Sequence, residues 1–197
     1  SSAILLMVAA LFYTKNPKLK RGDEVIVPAV SWSTTYYPLY QYGLKIKFVD
    51  IDLETLNYDL AQLEFAVTNK TRAIMAVNLL GNPNDFVRIN QIIAGRDIVL
   101  IEDSCESMGA KFEGKQAGTF GAMGAYSLFF SHHISTMEGG LIVTDDKELY
   151  QNWHIMNQPD IHWMNRLPWS FPPGSELAPT PPPVECLLLS VPEDDTV

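Results

Sequence analysis

The sequence predicts a three-layer α/β domain built on a mostly parallel sheet, and two observations carry that expectation. EVIVPAV, KIKFVDID, RAIMAVNLLG, DIVLIEDSC, GAYSLFF and GLIVTDD are short, rich in β-branched residues and nearly continuously apolar, as strands covered on both faces should be. Helix-length stretches separate several of them, and strand–helix–strand alternation demands the crossover connections of a parallel sheet. With 197 residues, 47% of them apolar and 19% charged, the chain is long enough for one domain with a sizeable core and too short for two.

Taken in order, SSA at residues 1–3 opens into the apolar run ILLMVAALF, which reads as a helix. The run lacks a basic flank and a small-residue cleavage site, and it is too short to span a bilayer. No initiator Met precedes it, so the expectation is a soluble cytoplasmic protein whose true start lies upstream. EVIVPAV then leads to the helical stretch TTYYPLYQYG, ended by Gly43. KIKFVDID precedes DLAQLEFAVTN, with Asp59 placed as N-cap, and RAIMAVNLLG precedes DFVRINQIIAGR, with Asp85 as N-cap and Gly95 as terminator. GAYSLFF and GLIVTDD flank SHHISTMEGG.

From about residue 155 the character changes. Nine of the thirteen prolines fall in residues 159–192, including PPGSELAPTPPP, and periodicity is lost. The expected organisation is a domain over residues 1–150 and an irregular or disordered proline-rich tail over 155–197. A formal charge of −9 argues against nucleic-acid binding, which needs a basic face. Cys105 and Cys186 are too few for a disulfide framework or a four-thiolate metal site, and no metal is expected.

Four places concentrate chemistry. Ser1 and Ser2 stand at a helix start, where free backbone amides suit a phosphate, or where a serine simply caps. Asp103, in IEDSCE, ends an apolar strand, where ligands of open α/β sheets gather; otherwise it or Ser104 caps a following helix. A buried carboxylate there suits a protonated pyridine nitrogen. Trp32, in PAVSWSTT, is either core or the stacking face for a flat heteroaromatic ring. Ser127 is a core hydroxyl or a phosphate donor. SHHISTMEGG supplies His132 and His133 but no lysine, and none occurs between Lys115 and Lys147. A phosphate loop, a strand-end aspartate, a stacking aromatic and a strand-end catalytic group together describe a site for pyridoxal 5′-phosphate (PLP). Such enzymes normally tether PLP through a lysine.

SSA, PAVSWSTT, FVDID, LLGNPND, LIEDSCESMGA, GTFG and SHHISTMEGG, in this order, resemble the DegT/DnrJ family of PLP-dependent sugar aminotransferases (fold type I). The likeness runs from residue 1 to about 150 and implies the large PLP-binding domain of an aspartate-aminotransferase-like fold, with the family's C-terminal small domain missing. Family members carry a lysine where His132 stands and a glycine where Met137 stands. Their phosphate loop begins with a Gly, which would fall before residue 1, and ends with an Asn, where this chain has Ile4. Histidine for lysine marks the family's sugar 3-dehydratase branch.

The resemblance implies that Asp103 pairs with the pyridine nitrogen, that Glu106 lies near the ring hydroxyl and that Trp32 stacks on the ring. Ser127 and the Ser1–Ser2 amides would hold the phosphate. It implies removal of the C3 hydroxyl from a nucleotide-linked 4-keto-6-deoxy sugar, GDP-4-keto-6-deoxymannose, for dideoxysugar (colitose, O-antigen) assembly. Glutamate would convert PLP to pyridoxamine 5′-phosphate (PMP), and His132 would be the base, with an ordinary pKa of roughly 6.5. His133 faces the opposite way if strand geometry continues. A homodimer is implied for the complete protein. The alternatives are an ordinary nucleotide-sugar aminotransferase, which needs the lysine, an iron–sulfur CDP-sugar 3-dehydrase, which needs four cluster cysteines, and an inactive binding module.

Overall fold

A computed structural model describes residues 2–157 and 186–190. In chain order it contains α1 (Ser2–Phe12), β1 (Glu24–Pro28), α2 (Ser33–Gln41), β2 (Lys45–Val49), α3 (Leu60–Ala66), β3 (Thr71–Val77) and α4 (Phe86–Ile93). There follow β4 (Val99–Asp103), the short β5 (Lys111–Phe112) and β6 (Lys115–Gln116), β7 (Met123–Ser127), β8 (Gly140–Thr144), α5 (Lys147–Asn157) and β9 (Cys186–Ser190). Seven strands form one sheet in the order β2-β1-β3-β4-β7-β8-β9. Pairing is parallel except for β7 with β8, which run antiparallel. The expected mostly parallel α/β sheet is therefore present.

Alternation along the strands makes the three layers. On β1, Val25 and Val27 face one core and Ile26 the other; on β3, Ala73, Met75 and Val77 oppose Ile74 and Ala76. The first core takes Ile4, Met7 and Leu11 of α1, Leu39 of α2 and Leu149 of α5. The second takes Leu63 of α3 and Phe86, Ile89 and Ile92 of α4. Asp59 Oδ1 accepts the Ala61 and Gln62 amides at 3.0 and 3.1 Å, and Asp85 Oδ1 accepts the Arg88 amide at 2.9 Å, so both N-caps form as the sequence indicates. Gly43 and Gly95 lie at φ +70° and +72°, the left-handed turn that ends a helix most cheaply at glycine.

Four expectations need correction. β2 is the edge strand and only Val49 in it is buried, so it is not covered on both faces. The strand predicted over GAYSLFF stops at Ser127, because the Ser127 hydroxyl accepts the Phe129 amide at 3.1 Å and turns the chain out of the sheet. α5 runs across the boundary placed between residues 150 and 155. The tail is not irregular throughout, since the apolar run CLLLS pairs with β8 as β9; the rest of the proline-rich segment lies outside the described residues. No helix among the described residues is long and apolar enough to cross a membrane.

Candidate active site

The parallel strands β1, β3, β4 and β7 deliver their C-terminal ends to one edge of the sheet. Asp103 is the last residue of β4 and 5% exposed. Its Oδ2 accepts the Thr35 hydroxyl at 2.7 Å and its Oδ1 the Cys105 amide at 3.1 Å. Residues 104–110 contain no helix, so neither Asp103 nor Ser104 is a helix cap. Thr35 sits in the first turn of α2, fully buried, and its amide donates to the Trp32 carbonyl at 3.0 Å. Trp32 is the residue at which α2 begins, and it is 75% exposed. Its ring is thus outside the core, against the commoner fate of a tryptophan.

Ser127 ends β7 opposite Gly140 of β8. A Cβ placed on Gly140 would stand 2.8 Å from the Ala3 Cβ, so the first turn of α1 lies directly over this strand pair. The first turn of α1, with the free amides of a helix start, thus stands over the β8 residue that pairs with Ser127. Ser1 lies outside the described residues.

His132 and His133 are in a turn rather than on a strand, and strand alternation does not decide how they face. The His132 amide donates to the Phe129 carbonyl at 2.9 Å, and its ring meets the edge of Phe129 at 6.0 Å. His132 is half-buried and His133 exposed. The Nδ1 atom of His132 is buried without a hydrogen-bond partner. A buried polar atom in that condition calls for an explanation, and a ligand group is one. The loop is closed by the Leu128 amide on the Gly139 carbonyl at 3.1 Å and the Thr136 amide on the Leu128 carbonyl at 2.9 Å.

Glu106 Oε2 accepts the Leu80 amide at 3.1 Å, and Ser107 Oγ accepts the Gly81 amide at 3.1 Å. Glu106 thereby anchors the turn after β3, in which Leu80 adopts φ +51°. Sequence reasoning missed three residues here. Thr35 is one. The second is Glu102, fully buried, which accepts the Gly118, Phe120 and Gly121 amides at 2.6–2.7 Å and Asn78 Nδ2 at 3.1 Å. Burial pushes its carboxyl above the usual range, and those donors pull it partly back. The third is Asn78, whose amide also donates to Ser104 Oγ at 2.9 Å. A second acidic residue beside Asp103, with glycines at 118 and 121 to approach it, was the available signal. Cys105 has its thiol pushed well up by burial and then by the Asp103 charge, which makes it a poor nucleophile. A groove of about 480 Å³ lined by Arg21, Tyr40, Gln41, Gly43 and Leu44 lies at the C-terminal end of α2, away from this edge.

The DegT/DnrJ/EryC1/StrS aminotransferase family matches residues 1–166. GDP-4-keto-6-deoxy-D-mannose 3-dehydratase of Escherichia coli O55:H7 is 66% identical over 169 residues, covering 85% of this chain and 43% of that protein. A GDP-4-keto-6-deoxymannose-3-dehydratase solved with a trapped PLP–glutamate geminal diamine superposes with a TM-score of 0.78 at 66% identity, over 79% of this chain and 40% of that one. A mutant of such an enzyme with bound GDP-perosamine gives a TM-score of 0.75 at 67% identity, over 79% and 39%. The chain thus spans less than half the length of the relatives it matches.

Proposed function

The chain belongs to the DegT/DnrJ/EryC1/StrS aminotransferase family, and on that premise we propose that it carries the cofactor site of a PLP/PMP-dependent sugar 3-dehydratase. The substrate is a nucleotide-linked 4-keto-6-deoxy sugar, GDP-4-keto-6-deoxymannose, and the amino donor is glutamate. Both assignments draw on the names and bound molecules of the relatives above. The observation that carries the reading is His132 in the turn leaving β7, with a buried, unpartnered Nδ1 and no lysine from residue 116 to residue 146.

The residues present fit PLP. Asp103 offers a carboxylate held at a strand end, suited to keep a proton on a pyridine nitrogen. The exposed Trp32 ring would cover one face of the flat ring. Ser1, Ser2 and the amides of the α1 start, together with the Ser127 hydroxyl, would hold a phosphate. Glu106, which anchors Leu80, would lie by the ring hydroxyl. When bound, PLP supplies an electron sink, and as PMP an amine derived from glutamate. His132 is the general base that moves a proton so that the C3 hydroxyl can leave. Because an imidazole has no primary amine, it leaves the cofactor untethered, which separates this site from that of a lysine-bearing aminotransferase. The 3-deoxy ketosugar and ammonia are the products. The domain reading is a PLP-binding unit over residues 1–150 that α5 carries on past that boundary, cytoplasmic, and homodimeric in the complete protein, acting as lyase and transaminase in dideoxysugar assembly.

The test is spectroscopic and then chemical. PLP added to the protein should give a bound absorption band that glutamate converts to that of PMP. Borohydride should fix no cofactor to residue 132. Stoichiometric recovery of a reduced pyridoxyl–lysine between residues 1 and 150 would sink the dehydratase reading. Failure to bind PLP at all would favour an inactive module.

A further inference from the structure

The Asp103 carboxylate is not simply placed at a strand end; it is aimed from α2. Its Oδ2 lies 2.7 Å from Thr35 Oγ1, and Thr35 Oγ1 lies 2.9 Å from Ser31 Oγ. A carboxylate only accepts, so the Thr35 proton must point to Asp103. A hydroxyl has one proton, so the Ser31–Thr35 contact must be donated by Ser31. The direction of the chain is therefore fixed as Ser31 to Thr35 to Asp103, running from a half-buried hydroxyl to a fully buried one and then to the charge. Valine would fill the Thr35 position just as well by shape, and a buried hydroxyl costs free energy unless it is bonded. The oxygen is there for Asp103.

Two further features make Thr35 a good aiming device. Its β-branch restricts χ1 in a helix, so the hydroxyl has few directions to choose from. Its amide holds the Trp32 carbonyl at 3.0 Å, so the same residue sets the turn that carries the exposed indole. The α2 start adds a favourable partial charge on the Asp103 side. Each Asp103 oxygen keeps a second lone pair, and a further donor can still be bound.

We propose that Thr35, oriented by Ser31, is a positioning residue that fixes the Asp103 carboxylate and the Trp32 turn as one unit for a protonated nitrogen heterocycle. This deepens the PLP reading and rests on it. The test uses the full chain and PLP labelled with ¹⁵N in its ring. Wild type should bind PLP with the ring nitrogen protonated in the ¹⁵N spectrum. Thr35→Val should weaken PLP roughly ten- to a hundredfold, the scale of a hydrogen bond to a charged acceptor, and move the nitrogen signal toward the unprotonated form. Thr35→Ser should recover both to within about threefold, the discrimination set for positioning through the hydroxyl alone. In an Asp103→Asn background, Thr35→Val should add nothing, because the two act as one.

The inference is overturned if Thr35→Val leaves affinity and nitrogen signal as in wild type, if Thr35→Ser is as impaired as Thr35→Val, or if Thr35→Val weakens PLP equally without Asp103. Should Thr35→Val lose its circular dichroism, Ser31→Ala decides. It removes only the outer link and should lower PLP affinity a few-fold with the fold intact, and no change at all would overturn the chain of hydroxyls. A wild-type protein that takes up no PLP sinks the cofactor reading and this inference together, whereas wild-type binding indifferent to Thr35 sinks this inference alone.

Discussion

The end of β4 and the loop between β7 and β8 sit side by side at the sheet edge and are built in opposite ways. At β4, Glu102 accepts four hydrogen bonds and Asp103 two, and both are buried. The partners come from α2, from Asn78 after β3, from the 118–121 segment and, for one Asp103 oxygen, from the Cys105 amide two residues on. In the loop, residues 131 and 133–138 are exposed, closure is by bonds among the loop's own residues, and the His132 Nδ1 has no partner. One region was finished by folding. The other keeps a nitrogen in reserve. Proteins draw their moving, ligand-ordered parts from the less stable end of the structure, and the contrast fits the proposed roles, charge-holding at β4 and proton movement in the loop.

The largest effect tests the finished side. Glu102→Ala removes the acceptor for one buried and two part-buried backbone amides at once, and an orphaned buried amide costs about 1–3 kcal/mol. The expected loss of stability is about 3–5 kcal/mol, seen as a lower urea midpoint with slope unchanged. The pH dependence has a definite sign. Because burial raises the Glu102 carboxyl in the folded state, its contribution is fully present below the usual 4.5 and declines as pH rises through the raised value. Glu102→Gln should flatten stability in that window. A Glu102→Ala protein as stable as wild type would mean that the 118–121 segment is not held from β4, and the comparison would fail.

The next effect tests the loop. His132→Asn should leave urea stability and PLP uptake unchanged, because no partner is lost at Nδ1. On the complete enzyme it should lower release of ammonia and 3-deoxy sugar from glutamate and GDP-4-keto-6-deoxymannose by about two to four orders of magnitude. A rate within about threefold of wild type would remove His132 as the base and make His133 the next residue to test.

The unequal build also explains what could be read from the sequence. The strand order's class, both aspartate caps and the Gly43 and Gly95 terminators were legible because each follows from local chemistry or apolar pattern. Asp103 was legible as the end of an apolar run, whereas Ser127 read as lying inside its strand and His132 as standing at the strand's mouth. Thr35 was not legible, because its partner lies 68 positions away and a threonine in a helix start carries no signal of what it touches. Glu102 was hidden for the same reason, its donors being 16 to 19 residues downstream. The end of β7 was misjudged because Leu128–Phe130 continue the apolar pattern while the Ser127 hydroxyl breaks the strand. β9 was missed because proline density around CLLLS outweighed five residues of apolar run.

The smallest effect sharpens the comparison at Met137, which is 72% exposed and holds φ +70°. A left-handed conformation costs a non-glycine residue about 1 kcal/mol or somewhat more, and Met137 is in the loop, where little packing repays it. Met137→Gly removes that strain but also frees the unfolded chain, a loss of about 0.5–1 kcal/mol. The two nearly cancel, so Tm should move by no more than about 2–4 °C, the shift expected of 1 kcal/mol in a chain of this size. Gly124→Ala makes the reverse change on the finished side, where a new Cβ would lie 1.9 Å from the Gly118 carbonyl oxygen. That clash is with backbone, and relief requires the 118–121 segment to leave Glu102, so a single added methyl should cost several kcal/mol there. Equal, small effects at both positions would show that the β4 side yields as readily as the loop, and the division of labour between them would have to be abandoned.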